Sequence, residues 1–278
     1  MTTTHTRLLL VTEQTEHDVP ARDLAFALAL RDKLPLDVVL PMVSNAEFEQ
    51  VAPALAARAE ALAAHRRNLL LADARAAGVS VQVTSPSGPE LHELVVDAAG
   101  ALANDLIVIR RRGQRGLLAR LLVGEMVSRV VAHAPCSVLI APPGARPWSK
   151  AVLVGIDPRC KDTSLLTHAV ALARERDLTL RILCVAPDES SCLPAEATLS
   201  AATATASQMG VRVDAELRFG RPYQQLLAAT QDCGADLLLI GRHGDDNILQ
   251  AWVGGTAQKV IGLSDCPVLI HVPKHPST

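Results

Sequence analysis

The sequence predicts an α/β protein built from two tandem, doubly wound, parallel five-stranded sheets. The first observation behind this is an internal echo: residues 104–143 (NDLIVIRRRGQRGLLARLLVGEMVSRVVAHAPCSVLIAPP) match residues 235–274 (ADLLLIGRHGDDNILQAWVGGTAQKVIGLSDCPVLIHVPK). Asp105 answers Asp236, Ile109 answers Ile240 and Gly113 answers Gly244; after one loop residue is dropped, Gly124 answers Gly254 and Cys136 answers Cys266. The second is that the echo extends upstream, residues 149–187 having a blurred partner in residues 6–42. Each copy is therefore a unit of roughly 140 residues, an ordinary domain size and too long for a solenoid repeat. The third is the alternation of short apolar runs with amphipathic stretches, which calls for parallel strands joined by crossover helices on both faces. The domains implied are 1–143 and 149–278, with PPGARPWSK (142–150) ending one and spacing the next.

In the first copy, strands are expected near 7–12, 36–43, 79–84, 105–109 and 137–141. Its second helix, over 47–78, is rich in Ala, Leu, Arg and Glu, with Pro53 marking a start or a kink. In the second copy, AVLVGI (151–156) is a buried strand ended by Asp157-Pro158. A helix follows, capped by Asp162, Thr163 or Ser164, with Leu165, Leu166, Ala169, Val170, Leu172 and Ala173 on one stripe up to Arg176. Strands over 178–186, 211–217, 236–241 and 266–272 then alternate with helices over 194–210, 222–234 and a short one after Gly254-Gly255-Thr256. The fifth strands, SVLIA and PVLIH, are apolar edges that need cover. They are expected to pair across a pseudo-twofold axis within the chain, an intramolecular pseudo-dimer that leaves a further homodimer open.

Composition narrows the function. With 49% hydrophobic and 20% charged residues in 278, the chain has enough apolar material for two separate cores. A formal net charge of −2 argues against nucleic acid as a partner, since capture of a phosphate backbone needs a net basic face. No apolar run approaches the roughly 20 residues that span a bilayer. The start, MTTTHTRLLLV, lacks a long apolar region and a cleavage site, so no membrane partner and a cytoplasmic location are expected. Cys136, Cys160, Cys184, Cys192, Cys233 and Cys266 form no CxxC pair and no zinc spacing, so they read as small core residues and no metal site is expected. Aromatic residues make up 2%, which leaves almost no platform for stacking bases.

The chemistry concentrates in Gly241-Arg242-His243-Gly244, followed after nine residues by Gly254 and then Gly255-Thr256. A glycine turn after a strand, a loop and a glycine at a helix start together present main-chain N–H groups to an anion. Thr256 can add a hydroxyl donor, and such a turn lies where open parallel sheets bind ligands. The pattern resembles that of the universal stress proteins: a glycine, two residues, a glycine, nine residues, a glycine, then Ser or Thr. Here Gly255 stands where the hydroxyl residue is usual and Thr256 comes one position later. The resemblance covers the whole chain as two copies, and GGTAQKV is most similar to the tandem E-type members.

That resemblance implies a Rossmann-like fold of the adenine nucleotide alpha hydrolase type and a non-catalytic stress-response sensor. It implies ATP or a related adenine nucleotide, with Mg²⁺ where ATP is bound, in the second copy alone. Asp157 would contact the adenosine, main chain near Val185 would face the adenine, and Gly241, His243, Gly244, Gly254, Gly255 and Thr256 would hold the phosphates. Turn-shaping roles for the glycines and for Asp157-Pro158 stay open, as does a scaffold or carrier for another small or anionic ligand.

The first copy departs from the pattern: Arg110 replaces the first glycine, Glu125 the hydroxyl residue, and Gln14 aligns with the acid. A phosphate would meet like charge at Glu125, so no nucleotide is expected there. Arg110, Arg111, Arg112, Arg115 and Arg120 form either a solvated basic face or a site for an anionic ligand or acidic partner. His133, His168, His243 and the other histidines show no triad spacing and are expected to be single surface or loop residues. There is no Walker lysine, no GxSxG and no SGGxDS, so no catalysis is expected.

Overall fold

The computed structural model describes residues 3–44, 53–111, 124–160, 162–242 and 253–273. In the first half, the apolar runs form β1 (Leu8–Val11), β2 (Leu36–Val39), β4 (Val81–Thr84), β6 (Leu106–Arg110) and β7 (Ser137–Ala141). In the second they form β8 (Ala151–Ile156), β9 (Thr179–Ala186), β10 (Val213–Phe219), β11 (Leu237–Gly241) and β12 (Val268–His271). The helices between them are α1 (Val19–Asp32), α2 (Pro53–Ala76), α3 (Leu91–Ala101), α4 (Glu125–His133), α5 (Ser164–Glu175), α6 (Cys192–Gln208), α7 (Pro222–Cys233) and α8 (Gly255–Leu263). Among the described residues, no helix is long and apolar enough to cross a membrane.

The two expected sheets are continuous, in the order β10-β9-β8-β11-β12-β7-β6-β1-β2-β4. Every neighbouring pair is parallel except β12 and β7, which meet antiparallel, with Val268 opposite Ile140, Leu269 opposite Leu139 and Ile270 opposite Val138. Each fifth strand would otherwise leave an apolar edge with unpaired N–H and C=O groups, and joining the edges satisfies both needs. Side-chain alternation puts Leu139 and Leu269 into the core on one face, and Val138, Ile140, Val268 and Ile270 into the core on the other. Both cores therefore run unbroken across the seam. Full burial of each such side chain is worth roughly 1.5–3 kcal/mol.

The echoed acids that precede β6 and β11 prove to be anchors for the strands beside them. Asp105 accepts hydrogen bonds from the main-chain N–H groups of Thr6 (2.9 Å) and Arg7 (3.2 Å), just before β1. Asp236 accepts those of Ser149 (2.7 Å), Lys150 (3.1 Å) and Ala151 (3.2 Å), leading into β8. The outer strand β10 carries Asp214, Glu216 and Arg218, charges that discourage edge-to-edge association.

Some boundaries differ from expectation. The single strand over 36–43 is broken, because Pro41 has no N–H to continue a ladder. β2 stops at Val39, and β3 (Met42–Val43) pairs instead with β5 (Ser87–Gly88) in a separate ribbon. The strand expected over 211–217 lies at Val213–Phe219, and α6 begins at Cys192, two residues before Pro194. Of the helix expected over 47–78, residues 47–52 lie outside the described residues. Cys136 and Cys184 are buried, the other four cysteines are half-buried, and none of the six is joined in a disulfide.

Candidate functional site

In each half the first strand lies between the second and the fourth, so the chain reverses its winding direction between β8 and β11 and again between β1 and β6. The crevice at the C-terminal ends of such a strand pair is where doubly wound folds bind ligands. In the second half that crevice is bordered by Asp157 after β8, Val185 near the end of β9, Gly241 at the end of β11, and the start of α8.

Asp157 closes a turn. Its carbonyl accepts from Cys160 N–H (3.0 Å), and its carboxylate accepts from the Arg159 main chain (2.9 Å) and guanidinium (2.8 and 3.1 Å). β8 pairs with β9 as far as Ile156 and Cys184, which brings Asp157 alongside Cys184 and Val185. Burial pushes the Cys184 thiol up to about 11, and the Asp157 charge adds to the shift. Val185 lies one residue past the last position that β8 pairs, while its other side is held opposite Arg218 of β10.

At the fourth strand, Gly241 pairs with His271 of β12. Gly254 caps α8; its N–H donates to the carbonyl of Arg242 (3.2 Å) and its own carbonyl accepts from Gln258 (3.0 Å). Gly255 is exposed, and a Cβ built there would meet nothing within 4 Å. The first turn of α8 carries no acidic side chain, so its partial positive charge is left uncompensated within the helix. Asp157, Val185, Gly241, Gly254, Gly255 and Thr256 thus all lie near the C-terminal ends of β8, β9 and β11 or at the start of α8. His243 and Gly244 lie outside the described residues.

The matching crevice of the first half is narrowed by its own charged side chains to a small cavity of about 20 Å³, walled by Val11, Glu13, Asp18, Ile109, Arg110 and Val127. Arg110 turns inward, its Nε 2.6 Å from the carboxylate of Asp18, which is 2% exposed, and its Nη2 3.5 Å from Glu13. The Gln14 side-chain amide donates to Asp73 at 2.7 Å. α4 opens with Gly124 followed by Glu125, an acid already in place at the helix start. Arg111 reaches into the second half, donating to the carbonyls of Ile261 (3.4 Å) and Ser264. The two described arginines of this loop are therefore committed to acids and carbonyls of the chain itself; Arg112, Arg115 and Arg120 lie outside the described residues. The Arg110–Asp18 pair gives no sequence signal, because Asp18 is remote from the motif.

The histidines correct an expectation: they are not all single surface residues. His5 and His271 are buried and His168 half-buried, and the three stand in line. His271 Nε2 lies 2.8 Å from Ser164 Oγ, His271 Nδ1 2.9 Å from His168 Nδ1, and His168 Nε2 3.3 Å from His5 Nε2. Ser164 donates its hydroxyl proton to Asp162 (2.7 Å), so it accepts from His271 Nε2–H. His271 Nδ1 then accepts from His168, whose Nε2 in turn accepts from His5. Beyond lies Asp105, 3.8 Å from His5 Nδ1. No sequence spacing announces this line, because the strand seam assembles it from both halves. Among the described residues, no group of three or more His, Cys, Asp or Glu side chains is arranged to hold a metal ion.

The sequence profile of the universal stress protein family matches the chain twice, over residues 4–142 and 149–273. A universal stress protein of Synechocystis sp. is 27% identical over 190 residues, covering 68% of this chain and 64% of that protein. One from Methanocaldococcus jannaschii is 29% identical over 62 residues, covering 22% and 38%. The chain thus spans less than two thirds of the length of either relative. A functionally unknown protein from Pseudomonas aeruginosa shares the fold with a TM-score of 0.71 at 21% identity, over 97% of this chain and 93% of that one. A universal stress protein from Archaeoglobus fulgidus does so with a TM-score of 0.70 at 17% identity, over 97% and 96%. Two consecutive matches that run through both halves of the sheet make the chain a tandem two-domain member of the universal stress protein family.

Proposed function

We propose that the chain is a non-catalytic, cytoplasmic stress-response module whose second half binds an adenine nucleotide, ATP first among them. The phosphates would lie at the start of α8, with the ribose at Asp157 and the adenine edge along Val185. One contrast carries the reading: α8 opens on Gly254-Gly255 with open space at the Gly255 Cβ position and no acid in its first turn, whereas α4 opens on Glu125. The Arg159 side chain that covers Asp157 is 68% exposed. An ion pair of that kind is worth about 0–1 kcal/mol, so ribose hydroxyls can displace it. Universal stress proteins have been solved in complex with dAMP and with cAMP; the reading rests on the start of α8 in this chain. The first half, whose crevice is walled by the Arg110–Asp18 pair and Glu13, serves as scaffold. Mg²⁺ would accompany the phosphates, and no side chain is assigned to it.

Titration calorimetry of the whole chain with ATP, with and without Mg²⁺, tests the reading, and one nucleotide per chain is expected. Gly255→Glu copies into the second half the residue that the first already has. It is expected to weaken ATP by about 30-fold, roughly 2 kcal/mol. The fold should be unharmed or firmer by about 0.5–1 kcal/mol, since glutamate is a better helix former than glycine and suits a helix start. Absence of ATP binding in the wild type would leave a carrier of some other ligand as the function.

A further inference from the structure

Arg111 and Arg242 occupy equivalent places, each one residue past the end of a fourth strand, and each sends its guanidinium across the seam. Arg242 Nη1 donates to the carbonyls of Ala132 (3.0 Å) and Ala134 (3.4 Å), at the C-terminal end of α4. Arg111 does the same at the end of α8, through Ile261 and Ser264. The last carbonyls of a helix lack partners within it and carry partial negative charge, so a planar cation that bonds two of them is well matched. Burial pushes the Arg242 guanidinium below its usual pKa.

The main chain of Arg242 adds a second link: its carbonyl accepts from the N–H of Gly254, the residue that caps α8 (3.2 Å). One residue therefore joins the C-terminal end of α4 in the first half to the N-terminal end of α8 in the second. We propose that Arg242 is a positioning residue: it ties the start of α8 to the end of α4, so that the first half is the rigid support for the second half's site. The ligand in this inference rests on the nucleotide reading above; the strut does not.

The test uses the full chain and three variants. Arg242→Met keeps the aliphatic length and removes the donors, Arg242→Lys keeps the charge, and Arg111→Met loosens the seam from its other arm. The readouts are amide hydrogen exchange over residues 254–258 without nucleotide, and ATP affinity. Arg242→Met is expected to speed exchange at Gly254 by about tenfold or more. It should also weaken ATP by about tenfold. Arg242→Lys should recover part of both, and Arg111→Met should change each by less than about threefold. Wild-type exchange in Arg242→Met overturns the proposal. Equal losses in Arg111→Met overturn it too, because general weakening of the seam would then be the cause. A wild type that binds no ATP, with exchange still faster in Arg242→Met, supports the strut and sinks the nucleotide reading alone.

Discussion

Trp148→Ala is expected to destabilise the protein by about 3–5 kcal/mol, the range for truncating a large buried aromatic side chain. Trp148 lies in the connection between the halves and is 1% exposed. It belongs to a core that also takes in Leu24 and Leu28 of α1 and Leu166, Val170 and Leu172 of α5. The Arg176 guanidinium, from the end of α5, stands 4.2 Å from the ring centroid, and that of Arg31, near the end of α1, stands 5.4 Å away. Arg176 also donates to Asp32 of α1 at 2.8 Å. Burial, and then the like charge of Arg31, bring the Arg176 pKa down to about 10. Such a cation depends on its aromatic face, a contact worth about 2 kcal/mol when desolvated. The alanine variant therefore loses packing from both halves and strips Arg176 of that face. Urea unfolding followed by circular dichroism at neutral pH is the measurement. A fall in midpoint is expected, with Trp148→Phe recovering most of it because the ring face remains. A loss below about 1 kcal/mol would show that the connection is a spacer after all.

Acidification is expected to remove on the order of 2–3 kcal/mol between pH 6.5 and pH 4 through His271. Burial brings its pKa down from 6.5 to about 4, and the nearby Asp162 only partly opposes the shift. A base whose folded-state pKa lies below its unfolded value stays neutral in the fold while the unfolded chain takes up a proton. The stabilisation is therefore complete above pH 6.5 and is lost as pH falls toward 4. Geometry gives the same direction: both His271 nitrogens are engaged, Nε2 with Ser164 and Nδ1 with His168, so an added proton has no acceptor there. The groups facing it are Ser164, Asp162 and His168, with His5 and Asp105 beyond. Urea midpoints at pH 7.5 and pH 4.5 should differ strongly in the wild type. In His271→Gln, which keeps a donor toward Ser164 and does not titrate, the difference should shrink by about half or more. Identical pH profiles would assign the acid sensitivity elsewhere.

Most strands were legible because each is a run of Val, Leu and Ile punctuated by Asp-Pro, Gly or Pro, and SVLIA in the first half and AVLVGI in the second were placed to the residue. Edges were less legible. β10 slid by two residues because VRVDAELRF alternates without a break from 211 to 219, so its period marks neither end, and Pro41 split a strand whose hydrophobicity alone runs on. In the site, the glycines at 241, 254 and 255 were visible from spacing. Arg242 and Arg159 stood next to motif residues in plain view, yet their partners lie at residues 132 and 134 and at Asp157. Which groups they meet follows from a turn for Arg159 and from the seam for Arg242, and neither is written in local pattern.

The sequence by itself determined the duplication, the βα order of each half, and the loss of the glycine corner in the first copy. Periodicity, turn chemistry and like-charge repulsion all act within a few residues of one another. Only the tertiary structure decided that the halves share one ten-stranded sheet with two continuous cores, that Trp148 packs into a core shared by both halves, that Arg110 pairs with Asp18 in the wall of its own crevice, and that three histidines from both halves line up. Each of these rests on contacts between residues about 90 to 170 positions apart; the Arg110–Asp18 pair forms within the first half, and the others come into being when β7 and β12 pair.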